Sequence, residues 1–214
     1  MGKQVSKCTI VSGSPMNDVE FLADKIDNNS FIIAADSGYT VLNKAGIKPD
    51  LIIGDFDSSP KPNADCEIIV LNPEKAYTDT FTCVREAVKR EFKQIDIFFA
   101  IGTRFDHTYA NVLCLDYCLK HGVDCTIIDR HNRLSLIEKS KTFNKEYDNF
   151  SLFAFMGECK GVAIKGAYYD AGFYSLQKLD FKPWDQIANS NYIDGEECTV
   201  SVEKGILLLA ESND

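Results

Sequence analysis

Apolar residues follow two different rhythms along this chain, and the change falls near residue 130. Before it, short runs with almost no polar interruption recur: CTIV from Cys8, FIIAA from Phe31, LIIG from Leu51, EIIVL from Glu67, IDIFFA from Ile95 and VDCTII from Val123. Between them lie stretches whose apolar positions return every three or four residues, the spacing of an amphipathic helix. This predicts helices over residues 17–27, 39–45, 79–92 and 106–121, the second ended by Gly46 and the last by Gly122. Nearly unbroken apolar strands alternating with such helices predict a doubly wound, mainly parallel sheet with helices on both faces.

From Arg133 onward the runs shorten and many alternate, as in Thr199-Val200-Ser201-Val202-Glu203, and turn residues separate them. No long helix is predicted there. The pattern is that of a C-terminal antiparallel β-sandwich. The predicted organisation is therefore an α/β domain over residues 1–130 and a β-sandwich domain over 131–214, with no low-complexity linker or internal repeat.

Composition narrows the function. The 214 residues carry a net charge of −9. A net acidic chain is poorly suited to bind nucleic acid, which needs a basic face to neutralise phosphates. A nucleotide substrate stays open, because a few carboxylates holding a divalent cation offset phosphate charge locally. No apolar run approaches the ~20 residues of a membrane span. The start lacks the long apolar run of a signal peptide; MGKQVS also fits a loose N-myristoylation pattern, but Cys8 to Val11 reads at once as the first strand. Eight cysteines lie scattered through apolar runs with no CxxC, which points to buried thiols in a reducing cytoplasm.

The chemistry-bearing residues gather where open parallel sheets bind ligands, beyond the carboxyl ends of strands. FIIAA leads into Asp36-Ser37-Gly38, LIIG into Asp55-Phe56-Asp57-Ser58, and IFFAIG into Thr103-Arg104-Phe105-Asp106-His107. Asp55 and Asp57, two apart, point the same way on extended backbone, and carboxylates that close need a cation or a proton between them. Mg²⁺ with phosphate oxygens satisfies that need; a solvated turn is the plain alternative. Thr78-Asp79-Thr80 opens a helix and can cap it, bind phosphate, or both. Arg104 can fork onto phosphate or stack on a base.

GDFDS at 54–58 after PDLII, EKxxTDT at 74–80 and GTRFDH at 102–107 with Asn111 one turn on resemble the motif series of thiamin pyrophosphokinases, and ADSG at 35–38 is similar to that family's segment near the second strand. The resemblance covers roughly residues 30–115. Thr103 stands where the family commonly has Gly, and Ala76 where it commonly has Asp. The resemblance implies transfer of pyrophosphate from ATP to the thiamin hydroxyl, with release of AMP. It implies Asp55, Asp57 and Asp79 as Mg²⁺ ligands and catalytic residues. Asp36, Thr78, Arg104, Asp106 and His107 would bind the nucleotide. Trp184, the one Trp, and Asn189 and Ser190 of a Ser-Asn-like segment would bind thiamin. A cytoplasmic homodimer with shared active sites is also implied. A metal-dependent nucleotide-sugar glycosyltransferase would explain the DxD but not Thr78-Asp79 or residues 102–107. A non-enzymatic nucleotide or thiamin sensor would keep the fold without the chemistry.

Overall fold

The computed structural model describes residues 6–56, 62–74, 76–170, 172–173 and 177–214. The N-terminal MGKQV, Asp57 and Ser58 of GDFDS, and Lys75 of EKxxTDT lie outside the described residues. The chain divides into two compact units, one ending at Arg130 and the other beginning at His131.

The first unit runs β1 (Lys7–Val11), α1 (Val19–Lys25), β2 (Phe31–Ala35), α2 (Gly38–Lys44), β3 (Leu51–Gly54), β4 (Glu67–Val70), α3 (Asp79–Lys89), β5 (Gln94–Phe98), α4 (Phe105–Lys120) and β6 (Asp124–Ile128). Its strands are parallel, in the order β4-β3-β2-β1-β5-β6. Burial explains the unbroken apolar runs: β3 is buried throughout, and β1 and β2 are buried at all but their first residue. One face carries Val11, Ile32, Ala34 and Ile52 against Leu22 of α1 and Leu42 of α2. The alternate residues Ile10, Ile33 and Ile53 point the other way, and α3 packs against β1, β2, β3 and α4. Helices thus cover both faces of the sheet.

Side-chain caps fix the starts of α1 and α3. Asp18 accepts the amide of Phe21 at 2.9 Å, so α1 begins at Val19 and not at residue 17. Gly38 opens α2 for a steric reason. A Cβ there would lie 1.9 Å from the Val11 carbonyl oxygen, and one on Gly13 would lie 1.8 Å from Ser37 Oγ. The start of α2 therefore rests directly on the end of β1.

Of the eight free thiols, seven are buried and Cys66 is partly exposed, so the expectation of buried thiols needs that one amendment. Burial pushes the Cys8 and Cys83 thiols well up and Cys114 to about 12.

The second unit is antiparallel: β7 (Asn132–Ile137), β8 (Ser140–Asn144), β9 (Asn149–Lys165), β10 (Leu179–Phe181), β11 (Glu197–Ser201) and β12 (Lys204–Ser212). The strand order is β7-β12-β9-β11-β8, with β10 on β9. Two apolar runs that read as separate strands merge into β9. Its first half pairs with β12 and its end with β11. Positive φ at Met156, Gly157 and Gly161, and a register shift against β12, let the strand bend without stopping. Both sheets close on one core that includes Phe143, Phe150, Val162, Val200 and Leu207. Between β11 and β12 the amides of Val202 and Glu203 turn to the carbonyls of Lys139 and Lys160.

One ion pair is set into this unit. Glu211, 2% exposed, sits opposite Arg133 in the β12–β7 register. It accepts Nε at 2.6 Å and also Nη2 of the same guanidinium. Replacing Arg133 by Met leaves a buried carboxylate without its cation. The expected loss is about 3 kcal/mol of stability, read as a lower urea midpoint.

Candidate active site

The strand order reverses direction at β1. The chain steps outward through β2, β3 and β4, then α3 carries it back and β5 pairs with the opposite edge of β1. Loops leaving β1 and β5 turn apart at such a point and leave a crevice beyond the strand ends. A cleft of about 640 Å³ lies there, lined by Ser12–Pro15 after β1, Ala35–Ser37 after β2, Pro73 and 76–80 before and at the start of α3, and Ala100 with 102–104 after β5.

Cross-loop hydrogen bonds hold the walls. Ser12 Oγ and Thr80 Oγ1 are 2.9 Å apart, tying the end of β1 to the first turn of α3. Ser14 Oγ donates to the Ile101 carbonyl at 2.7 Å. Asn111, buried on α4, donates through Nδ2 to the Ala100 carbonyl at 2.7 Å. Thr78 Oγ1 accepts the Phe81 amide at 3.2 Å and so caps α3, whose positive end faces the cleft. A glycine-containing loop beside a helix N-terminus favours phosphate oxygens.

Asp36 sits in the left-handed region at φ 45, which Asp tolerates better than most residues. Its amide donates to Ile53, and its Oδ1 is buried with no hydrogen-bond partner among the described residues. A buried carboxylate oxygen left so is costly unless a ligand or cation completes it. Asp79, the first residue of α3, lines the same cleft. Arg104 lines the opposite wall and donates to Asp106 through Nη2 at 2.6 Å. Hydrogen bonding to Arg104 holds the exposed Asp106 carboxyl below the usual carboxylate range, and the same bond raises Arg104.

Of the residues singled out in the sequence, Asp36, Thr78, Asp79, Arg104 and His107 line this cleft. Asp106 turns to Arg104 at the start of α4, and Asp55 follows β3 directly. Asp57 lies outside the described residues. Trp184, Asn189 and Ser190 belong to the second unit. Trp184 is 72% exposed in a tight turn in which Asp185 accepts the Lys182 amide at 2.9 Å and donates its own amide to the Lys182 carbonyl. The Lys182 ammonium lies 5.7 Å from the Trp184 ring centre. Asn189 and Ser190 are both tied to Ser151 Oγ. Sequence reasoning did not select Ser12, Gly13, Ser14 or Tyr77. The signal was present for the first three, since a Ser-Gly-Ser turn follows the strand at the reversal point.

Among the described residues, no three Asp, Glu, His or Cys side chains gather closely enough to form a metal cluster by themselves. The carboxylates present are hard oxygen donors, and Mg²⁺ characteristically takes one or two protein carboxylates and completes its shell with phosphate and water. The donor set fits that ion.

The fold and cleft define a doubly wound α/β protein with a carboxylate-bearing cleft at its topological reversal. The family model for the thiamin pyrophosphokinase catalytic domain matches residues 22–127. The thiamine pyrophosphokinase of Bacillus subtilis is 28% identical over 96% of this chain and 98% of its own. Its crystal structure superposes with a TM-score of 0.87 at 24% identity, covering 97% of this chain and 99% of that one. The crystal structure of the enzyme from Geobacillus thermodenitrificans does so with a TM-score of 0.84 at 25% identity, covering 97% and 98%. The chain belongs to the thiamin pyrophosphokinase family, a membership that does not favour the nucleotide-sugar alternative. No helix among the described residues is long and apolar enough to cross a membrane.

The Asn111 bond gives a direct test of how the cleft is held. Asn111→Ala leaves the Ala100 carbonyl without its donor. It should lower stability by about 1–3 kcal/mol in urea unfolding, and amide exchange should quicken across residues 100–108.

Proposed function

We propose that the protein transfers the pyrophosphoryl group of ATP to the hydroxyl of thiamin, giving thiamin diphosphate and AMP. The observation that carries the reading is the meeting, in one cleft at the sheet reversal, of a Ser-Gly-Ser loop, a helix N-terminus and the carboxylates Asp36 and Asp79. Family membership agrees with it.

The transfer asks for positioning and charge neutralisation more than for a covalent intermediate. The loop after β1 and the start of α3 cradle phosphate oxygens, with Ser12 and Thr80 locked to each other so that neither wall moves alone. Arg104 meets the nucleotide from the opposite side, and its bond to Asp106 sets the direction of the guanidinium. Asp36 and His107 lie at the edge of the nucleotide pocket. Asp55, Asp57 and Asp79 would hold Mg²⁺, which when bound neutralises phosphate charge. Asp57 and Asp79 are the candidates to accept the thiamin hydroxyl proton. Ala76 lines the cleft where the family commonly has Asp, so this protein works with one carboxylate fewer on that wall.

Thiamin is flat and cationic, and an exposed indole suits it. Trp184, Asn189 and Ser190 are assigned to the acceptor, supplied by the β unit of a second subunit in a cytoplasmic homodimer.

Incubation with ATP, Mg²⁺ and thiamin should yield AMP and thiamin diphosphate in equal amounts; stoichiometric ADP would identify an ordinary kinase instead. Asp55→Asn and Asp57→Asn should each lower turnover by orders of magnitude with the fold intact. Normal rates in both would remove these residues from the metal site.

Trp184→Ala should raise KM for thiamin roughly tenfold while KM for ATP hardly moves. Mixing Trp184→Ala with Asp57→Asn protein should restore part of the activity if each site draws on two subunits.

A further inference from the structure

A nucleotide brings a purine as well as phosphates, and the phosphate-binding features of the cleft leave open what meets that ring. We infer that Tyr77 is the stacking platform for the adenine base, an assignment that rests on the proposed use of ATP. Tyr77 lines the cleft immediately before the Thr78 cap of α3, next to the phosphate-binding turn. Tyr77 is 52% exposed, which leaves surface for a ligand to cover. The other large apolar ring of the lining, Phe99, is 1% exposed and already buried in the core.

The ring is held ready. Phe81, one turn into α3, meets Tyr77 edge-on at 5.3 Å and 65°. Phe81 is itself braced by Tyr117 of α4 at 5.0 Å and 81°. Arg85, two turns from Tyr77, places its guanidinium 5.0 Å from the Tyr77 ring centre. The ring is thus held by two of the protein's own groups, so a base stacking on its exposed surface finds it already oriented. Tyr77 is therefore assigned as a substrate-contacting residue for the nucleotide by its place in the cleft wall beside the Thr78 cap.

Calorimetric binding of AMP and of ribose 5-phosphate separates the base from the rest. Tyr77→Ala should weaken AMP between about fivefold and a hundredfold, the range of aromatic–base stacking, while ribose 5-phosphate binds as before. Tyr77→Phe should keep AMP affinity within about twofold, since the ring face is retained. In the unmodified protein, 2-aminopurine riboside 5′-monophosphate should lose fluorescence on binding through stacking on the ring, and Tyr77→Ala should abolish that loss. An unchanged ratio of AMP to ribose 5-phosphate affinity in a folded Tyr77→Ala protein overturns the assignment. So does a rise in KM for thiamin with AMP binding intact, which would place the ring at the acceptor. The binding and fluorescence measurements need no turnover. Base-dependent AMP binding without thiamin diphosphate formation would defeat the proposed reaction alone, and turnover with an unchanged ratio would defeat the Tyr77 assignment alone.

Discussion

The close contact between Gly38 and the end of β1 constrains everything at the cleft. With no side chain on Gly38 or Gly13, the start of α2 rests on the Val11 carbonyl and Ser37 sits where a Cβ of Gly13 would be. That contact brings the loop after β2, with Asp36, up to the loop after β1. Because β5 pairs with the other edge of β1, the loop carrying Gly102 and Arg104 arrives from the opposite side. Any side chain at Gly38 would push these loops apart, and the cleft would lose its floor.

The cleft is then fixed less by ion pairs than by short hydroxyl and amide bonds between loops. Ser12 with Thr80 and Ser14 with Ile101 join elements far apart in sequence, and Asn111 with Ala100 ties α4 to the loop that precedes it. Such bonds contribute modestly one at a time, yet each leaves a buried group unsatisfied if broken, so together they favour a single arrangement. The charged groups are held in reserve. Among the described residues, Asp36 keeps a buried oxygen uncommitted, and Arg104 pairs with an exposed neighbour, Asp106, whose hold on it is weakened by solvent. A site of this kind is suited to ligands that bring both phosphate and cation.

In the second unit the comparable constraint is continuity. One strand of seventeen residues serves both sheets, and the bend that permits this falls at Met156, Gly157 and Gly161. The Arg133–Glu211 pair pins β7 to β12 at the end of that structure. The turn at Lys182–Asp185 presents Trp184 to solvent, since Lys182 and Asp185 satisfy each other's backbone and no core residue covers the indole.

Much of this architecture was legible in the chain itself. The short, β-branched apolar runs at Phe31 and Leu51, bounded by turn residues, read as strands buried on both faces, which pointed to parallel strands with helices on both sides. The acidic residues after those strands marked the rim, because strand ends are where parallel sheets leave backbone and side chains open to ligands. Residue pattern could not show that residues 149–165 form one strand, because a bend at glycine looks the same in sequence as a turn. It could not show which partners Ser12 and Ser14 take, since only the fold sets them opposite Thr80 and Ile101. Nor could it reveal Tyr77 as a half-exposed ring braced by Phe81 and Arg85. Period and polarity along the chain determined which residues form strands and which face inward, since those are local consequences of burial. Which loops meet across the reversal at β1, and which side chains complete one another there, was decided only by tertiary structure, because those contacts join positions tens of residues apart that no local pattern relates.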